Sequence, residues 1–292
     1  MKKEWESDVT TATTGAPRSA SRLGRLVGDI VLWIGVGLLL LPFAFAVLTA
    51  LRPAADVAAD PLGFPTALTF DNVVIAFNEI DYGRSLLNTL LIVGGTIVGT
   101  VVAGAMASYP LSRIGRAWST GVYRLFLVGT SIPIYVLIAP LYLLMRDLRL
   151  IDTHLGVILI YVALNLPIAV FFYTSFMRQV PVELEEAASL DGAGPLRVFF
   201  RIVLPLLTPV TATLATYLTL AVWNDLIVPL VFLPGVENRT IMASAYAQLD
   251  PNIIEPTTLF PAALLGVLPL ILVFSFLQRY VVAGMSAGAV KS

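Results

Sequence analysis

Apolar residues run in long blocks along this chain, and polar residues gather in short stretches between them. Six blocks, 26–50, 86–109, 121–145, 155–178, 202–223 and 259–279, reach the ~20 residues that a helix needs to cross about 30 Å of hydrocarbon. Each predicts a transmembrane helix. A further apolar piece, Leu226 to Leu233, is too short to cross and carries Pro229, so it predicts a broken extension or a re-entrant segment. Residues 1–25 are polar and rich in Ser, Thr and Ala, and predict a disordered tail. The first apolar block is longer than the roughly 7–15 residues of a signal-peptide core, so it is expected to stay as a membrane anchor. Pro133, Pro140, Pro205, Pro209 and Pro269 predict kinks within the spans.

The second block carries Gly95, Gly99, Ala103 and Ala107 at four-residue spacing. Small residues on one helix face allow close helix packing, and the stripe implies that and no chemistry. Lys and Arg set the orientation. The segments that would face outside hold Arg52, Arg84, Arg146, Arg149 and Arg239; the rest of the 18 Lys and Arg fall on the other side. Both termini are therefore expected in the cytoplasm, along with the loop between spans four and five.

Composition agrees with a membrane protein. The chain is 58% hydrophobic and 13% charged, where a soluble domain carries about 25% charge, and its mean hydropathy is +0.87. A net charge of −1 offers no basic stripe for nucleic acid. Without Cys, and with His154 as the one His, thiol catalysis and Cys- or His-rich metal sites are excluded. No G-x4-G-K-[ST] loop is present to hold nucleotide phosphates; the only Lys residues are Lys2, Lys3 and Lys291. Ion-coupled transporters usually carry acidic or His residues inside their spans. Here Asp29 and Asp225 sit near span ends.

One polar stretch stands out, the loop 181–201 between spans four and five. Pro181 suits a first helical turn, and Val182 to Leu190 predicts a short amphipathic helix. Val182, Leu184, Ala187, Ala188 and Leu190 would form its apolar or small face; Glu183, Glu185 and Glu186 would form the charged one. Gly192 and Gly194 can turn the chain, and Pro195 starts a second segment that runs through Phe199 and Phe200 into span five. From the residues alone, this is either a solvated surface loop or a docking helix for a partner.

The spacing Glu186-Ala187-Ala188, then Gly192, Ile202 and Leu204-Pro205 matches the EAA motif, and the chain resembles the permease subunits of ABC importers. Ser85-Leu-Leu-Asn88-Thr89, Ala163-Leu-Asn-Leu-Pro167, Trp223-Asn224-Asp225 and the stretch from Gln278 to Ser292 are similar to the second permease of maltose-type carbohydrate importers. The resemblance implies an all-α, six-span type I importer permease fold in the bacterial inner membrane, with a permease domain over 26–283 and a cytoplasmic tail over 284–292. It implies that Glu183, Glu186, Ala187, Ala188, Asp191, Gly192, Ile202 and Pro205 couple to an ATPase, and that Gly284, Ser286, Gly288 and Lys291 reach the same partner. The implied assembly is a second permease subunit in a heterodimer, two ATPase subunits that hold ATP and Mg, and an extracytoplasmic binding protein that delivers a di- or oligosaccharide. Glu237, Asn238, Arg239, Gln248 and Asp250 would meet that binding protein. This chain needs no cofactor or metal of its own.

Sugars need neutral hydrogen-bonding groups along a path. Thr208, Thr211, Thr216 and Thr219 share one arc of span five; they either line such a path or bond back to their own helix. Asn165 is either a path residue or a helix–helix contact, while Trp223, Asn224 and Asp225 are either an interfacial anchor or a gate. Two rival functions stay open. An ion-coupled transporter or channel would work without an ATPase, and a membrane enzyme would show a catalytic cluster at one interface.

Overall fold

The computed structural model describes residues 22–248 and 255–289, with side chains described over 26–248 and 255–275. The chain divides into two units, residues 1–46 and 47–292. Among the described residues every regular element is helical: α1 Arg22–Ala50, α2 Ala54–Ala59, α3 Asp71–Glu79, α4 Tyr82–Arg113, α5 Ala117–Gly129, α6 Ile134–Asp147, α7 His154–Met177, α8 Glu183–Leu190, α9 Pro195–Val198, α10 Leu204–Leu206, α11 Thr208–Trp223, α12 Ile227–Phe232, α13 Ile241–Ala247 and α14 Pro256–Ala289. A π-helical turn, Phe199–Val203, joins α9 to α10.

Four segments are long and apolar enough to cross a membrane unbroken: Leu26–Ala50, Tyr82–Arg113, His154–Met177 and Pro256–Ser275. Two bent pairs of helices bring the number to six if each pair is one span. Helices α5 and α6 meet at 101°, and Pro195–Leu206 meets α11 at 72°. The six-span expectation holds, but spans three and five are broken where single kinked helices were expected. Proline chemistry explains both breaks. Pro133 takes an extended backbone (ψ 135°) as the N-cap of α6. Pro205 and Pro209 lack the N–H groups that would bond one turn back, and Leu207 between them leaves the helix at ψ 4°. Pro140 and Pro269 stay inside continuous helices. Helix α14 continues to Ala289, past the expected end of span six at 279.

Helices α4 and α7 pack closely because α4 is notched. A Cβ at Gly95 would stand 2.6 Å from Ile158 Cδ1, one at Gly99 2.7 Å from Val162 Cγ2, and one at Gly104 2.7 Å from Ala169 Cβ. The glycine stripe is thus a packing device, as its spacing predicts, and Gly104 extends it.

Within residues 47–292 the core forms two clusters. One gathers Ile92, Tyr161, Trp223, Phe232, Ile241 and Ala262 around the start of α4; the other gathers Ala105, Tyr173, Met177, Phe199, Val203 and Leu214 around its end. Trp223 is a core residue, 1% exposed, and its indole N–H donates to Gly266 O at 3.0 Å. The interfacial-anchor reading of Trp223 is therefore wrong: the indole N–H finds a protein acceptor and has no need of the interface. The short piece 226–233 folds as α12, with Val228, Pro229 and Phe232 buried.

Candidate functional site

The polar loop expected between spans four and five forms α8, a tight turn and α9. Three bonds close the turn. Asp191 N donates to Ala187 O at 3.1 Å, Gly192 N to Ser189 O at 3.1 Å and Ala193 N to Ala188 O at 3.0 Å. The last two form a Schellman closure, which needs a left-handed residue after the helix. Gly192 supplies it at φ 81°. Gly194 then caps α9, and Pro195 occupies its first turn, where the missing N–H costs nothing.

The inward face of α8 carries a charge. Glu185 is 8% exposed. Its Oε1 accepts from Arg113 Nε at 2.8 Å and lies 2.5 Å from Arg113 Nη2. Its Oε2 accepts from the Tyr109 hydroxyl at 2.7 Å. Arg113 Nη2 also donates to Val180 O at 3.1 Å, so one guanidinium holds both α8 and the stretch of chain leading into it. Arg113 is the last residue of α4, where a cation also complements the helix dipole. A buried carboxylate survives only when paired and hydrogen-bonded, and both oxygens of Glu185 are satisfied.

This arrangement departs from the expected two faces. Glu185 leaves the charged face and turns inward, and the residues expected on the apolar face are presented: Leu190 is 90% exposed, with Val182 and Leu184 also exposed. The presented face consists of Glu183, Glu186, Ala187 and Leu190 at i, i+3, i+4 and i+7, all exposed. Asp191 and Gly192 are exposed too, while Ala188 is half-buried against the second core cluster. An open cleft of about 680 Å³ lies beside α8, lined by Tyr109, Glu185, Glu186, Ser189, Ala193 and Val198 among others.

Past α9 the chain enters the core. Val198 is 2% exposed, Phe199 4% and Val203 0%, and the Phe199 ring meets Tyr109 edge-on with centroids 5.3 Å apart. Leu204 N bonds back to Phe199 O, the long step of a π-helix, which is frequent at functional sites. Ile202 is half-buried here, and Pro205 is exposed at the break of the fifth span.

At the opposite end of α4, polar side chains hold the segment before α13. Asn88 Nδ2 donates to Glu237 O at 2.8 Å and Arg239 O at 3.0 Å. Ile241 N donates to Thr89 Oγ1 at 2.9 Å, and the hydroxyls of Ser85 and Ser244 share a bond of 2.8 Å. Asp152, at φ 59°, accepts from Gly235 N through Oδ1 at 3.0 Å and from Asn238 Nδ2 through its carbonyl at 2.9 Å. The Glu237 carboxylate points outward, 83% exposed, 3.6 Å from Arg84 Nη1. Arg239 Nη2 donates to Pro234 O, and Gln248 Nε2 to Glu79 O. Asp250 lies outside the described residues, as does Lys291. Gly284, Ser286 and Gly288 lie on the helical backbone of α14.

The candidate path residues are dispersed. Thr208, Thr211, Thr216 and Thr219 each donate to a carbonyl three or four residues back. Thr208 is exposed, Thr211 also shares a bond with the Tyr173 hydroxyl at 2.9 Å, and Thr219 is 5% exposed. Asn165 Nδ2 donates to Tyr161 O within its own helix. Asn224 is exposed and bonds to Leu220 O. Asp225 accepts from the Tyr161 hydroxyl at 2.9 Å and from Ile227 N at 2.9 Å. Among the described residues no group of three or more His, Asp or Glu is placed to hold a metal ion.

Comparison with known proteins finds a family, two relatives and a solved structure that this chain resembles. Residues 95–287 match the family described as Binding-protein-dependent transport system inner membrane component. The chain is 34% identical over 252 residues to the melibiose/raffinose/stachyose import permease protein MelC of Bacillus subtilis (strain 168), covering 86% of this chain and 91% of that one. It is 33% identical over 259 residues to the trehalose transport system permease protein SugB of Mycobacterium tuberculosis (strain CDC 1551 / Oshkosh), covering 88% and 94%. In fold it is similar to a chain of a bacterial ABC transporter involved in the import of the acidic polysaccharide alginate, with a TM-score of 0.76 at 19% identity, covering 91% of this chain and 98% of that chain.

Proposed function

The chain belongs to the Binding-protein-dependent transport system inner membrane component family, and from that premise we propose that it is the permease subunit of an ATP-driven importer of a di- or oligosaccharide. The functions of its relatives, melibiose/raffinose/stachyose import and trehalose transport, support the substrate class. In this reading it pairs with a second permease to enclose the path, and two ATPase subunits carry the ATP and Mg. An extracytoplasmic binding protein delivers the sugar on the side of Glu237, Asn238, Arg239, Gln248 and Asp250. The α8 end faces the cytoplasm of a bacterial cell, and the membrane is the inner one.

The observation that carries the coupling role is the geometry of α8. A helix with Leu190 fully presented and Glu185 bolted inward suits a part that docks into a partner groove and passes on its motion. Glu183, Glu186, Ala187, Ala188, Asp191 and Gly192 form the docking surface, and Ile202 and Pro205 join it to the fifth span. Residues Gly284, Ser286, Gly288 and Lys291 reach the same ATPase. Closure of the ATPases on ATP draws the α8 helices of the two permeases together and opens the path outward; hydrolysis restores the inward state. Asn165, Thr208, Thr211, Thr219, Asn224 and Asp225 are assigned to the path.

The test is a mild-detergent pull-down of the tagged chain from its host, followed by reconstitution. A Walker-type ATPase and a second permease in the eluate, with ATP-dependent uptake of a disaccharide, are the expected result. Recovery of the chain alone, transporting without ATP, would overturn the proposal in favour of an ion-coupled carrier or a channel.

A further inference from the structure

Besides the packing of Ala188 against the second core cluster, load placed on the presented face of α8 has three routes out. The first is the chain between Met177 and Glu183, which is not helical and is itself tied to Arg113 through Val180 O. The second is the turn at Gly192 into α9. The third is the side chain of Glu185, on the face of the helix opposite Glu183, Glu186 and Leu190. That third route is short, charged and two-pronged, and it leads to neither of the spans that flank α8 in sequence. It ends on α4, through Arg113 and Tyr109.

Helix α4 has 32 residues, so it is about 48 Å long at about 1.5 Å per residue. Its far end carries Ser85, Asn88 and Thr89, the side chains that hold Glu237, Arg239, Ile241 and Ser244. One helix thus has a buried ion pair at one end and a set of buried hydrogen bonds at the other. We propose that Glu185, Arg113 and Tyr109 are positioning residues that form the joint through which α8 drives α4, and that α4 carries the displacement to the segment Glu237–Ser244. This rests on the importer reading and deepens it: the ATPase and the binding protein are linked through this one helix as well as through the path-forming bundle. Packed helices respond to load as rigid bodies with discrete arrangements, and such a link is a physical route only if both ends bias the same element. Arg113 and Asn88 lie on the same element.

The test uses the complete complex in nanodiscs and follows hydrogen exchange of α8 and of residues 237–244, with and without ATP plus vanadate. In the unaltered complex nucleotide is expected to change exchange at both places. Glu185→Gln keeps the docking face and should keep the change at α8, while the nucleotide response at Ile241 falls about tenfold. Tyr109→Phe removes a single bond and should give an intermediate loss. Exchanging the two charges, Glu185→Arg with Arg113→Glu, should restore the response, which a simple loss of folding would not. A full response at Ile241 in Glu185→Gln overturns the joint. If Glu185→Gln does not assemble, Tyr109→Phe decides by the same measure. If the unaltered complex shows no nucleotide response at α8, it is the importer reading that fails. The joint is then judged without nucleotide, where Glu185→Gln must alter exchange at Ile241 as well as in α8; a change confined to α8 overturns it.

Discussion

The hydroxyl of Tyr161, on α7, donates to Oδ2 of Asp225, just past the end of α11, at 2.9 Å. The other carboxylate oxygen accepts from Ile227 N and so starts α12. One carboxylate therefore ties a span to the broken piece beyond its neighbour. Tyr161→Phe leaves a half-buried carboxylate short of a donor, a cost of about 1–3 kcal/mol. Thermal unfolding in detergent should move to lower temperature, and an unchanged midpoint would remove this role.

The notches on α4 make a paired test. Gly104→Ala places a Cβ 2.7 Å from Ala169 Cβ, so two backbones must part, at about 1–3 kcal/mol. Gly94→Ala meets nothing within 4 Å and should be neutral or gain about 0.5–1 kcal/mol from helix propensity. Equal effects of the two substitutions on the unfolding midpoint would show that α4 and α7 are not in close contact.

Gly192 sits at φ 81°, a region that costs an L-residue about 1–2 kcal/mol and a β-branched one more. Gly192→Val should weaken recovery of the ATPase in a pull-down, and Gly192→Asn should preserve most of it. Wild-type recovery with Val would refute the turn as the determinant of α8 geometry.

Leu190→Asp tests the presented face. The side chain touches little of its own chain at 90% exposure, so the melting midpoint of the isolated permease should stay within about 0.5 kcal/mol of wild type. Binding to the ATPase should drop by about tenfold or more, as when a central apolar contact is lost from an interface. Unimpaired binding would place the docking surface elsewhere.

Asn88→Ala removes both donors to Glu237 O and Arg239 O. The segment 235–244 should become cleavable by added protease many-fold faster, while α8 stays as resistant as before. No change in cleavage would mean that Thr89, Ser85 and Asp152 hold the segment without Asn88.

Much of this was legible in the sequence because hydrophobic length and backbone chemistry are local. The spans follow from runs of apolar residues, the close helix pair from Gly95 and Gly99, and the turn from Gly192 and Pro195. What escaped depends on distant partners. Glu185 looks like one more solvated carboxylate until Arg113, 72 positions away, is placed beside it. Trp223 resembles a membrane-interface anchor until Gly266 O, 43 positions on, accepts its N–H. Asn88 and Thr89 had a family resemblance but no assigned task; their partners lie about 150 residues further along the chain. Helical periodicity alone does not say which side of α8 turns inward; the charge partner beneath the helix decides that Glu185 does.

The π-helical turn at Phe199–Val203 has a consequence for how this gene can change. It holds one more residue than an α-helix with the same bonds. Deleting one residue there would let the turn close as α while the helical turns on either side keep their register, because the bulge is where the extra residue is absorbed. The same deletion in α9 has no bulge to absorb it and would rotate the residues before it by about 100°. The length of this stretch can therefore fall by one at Phe199–Val203 without turning Val198 out of the core, and a one-residue gap among descendants of this sequence should be found there and not in α9.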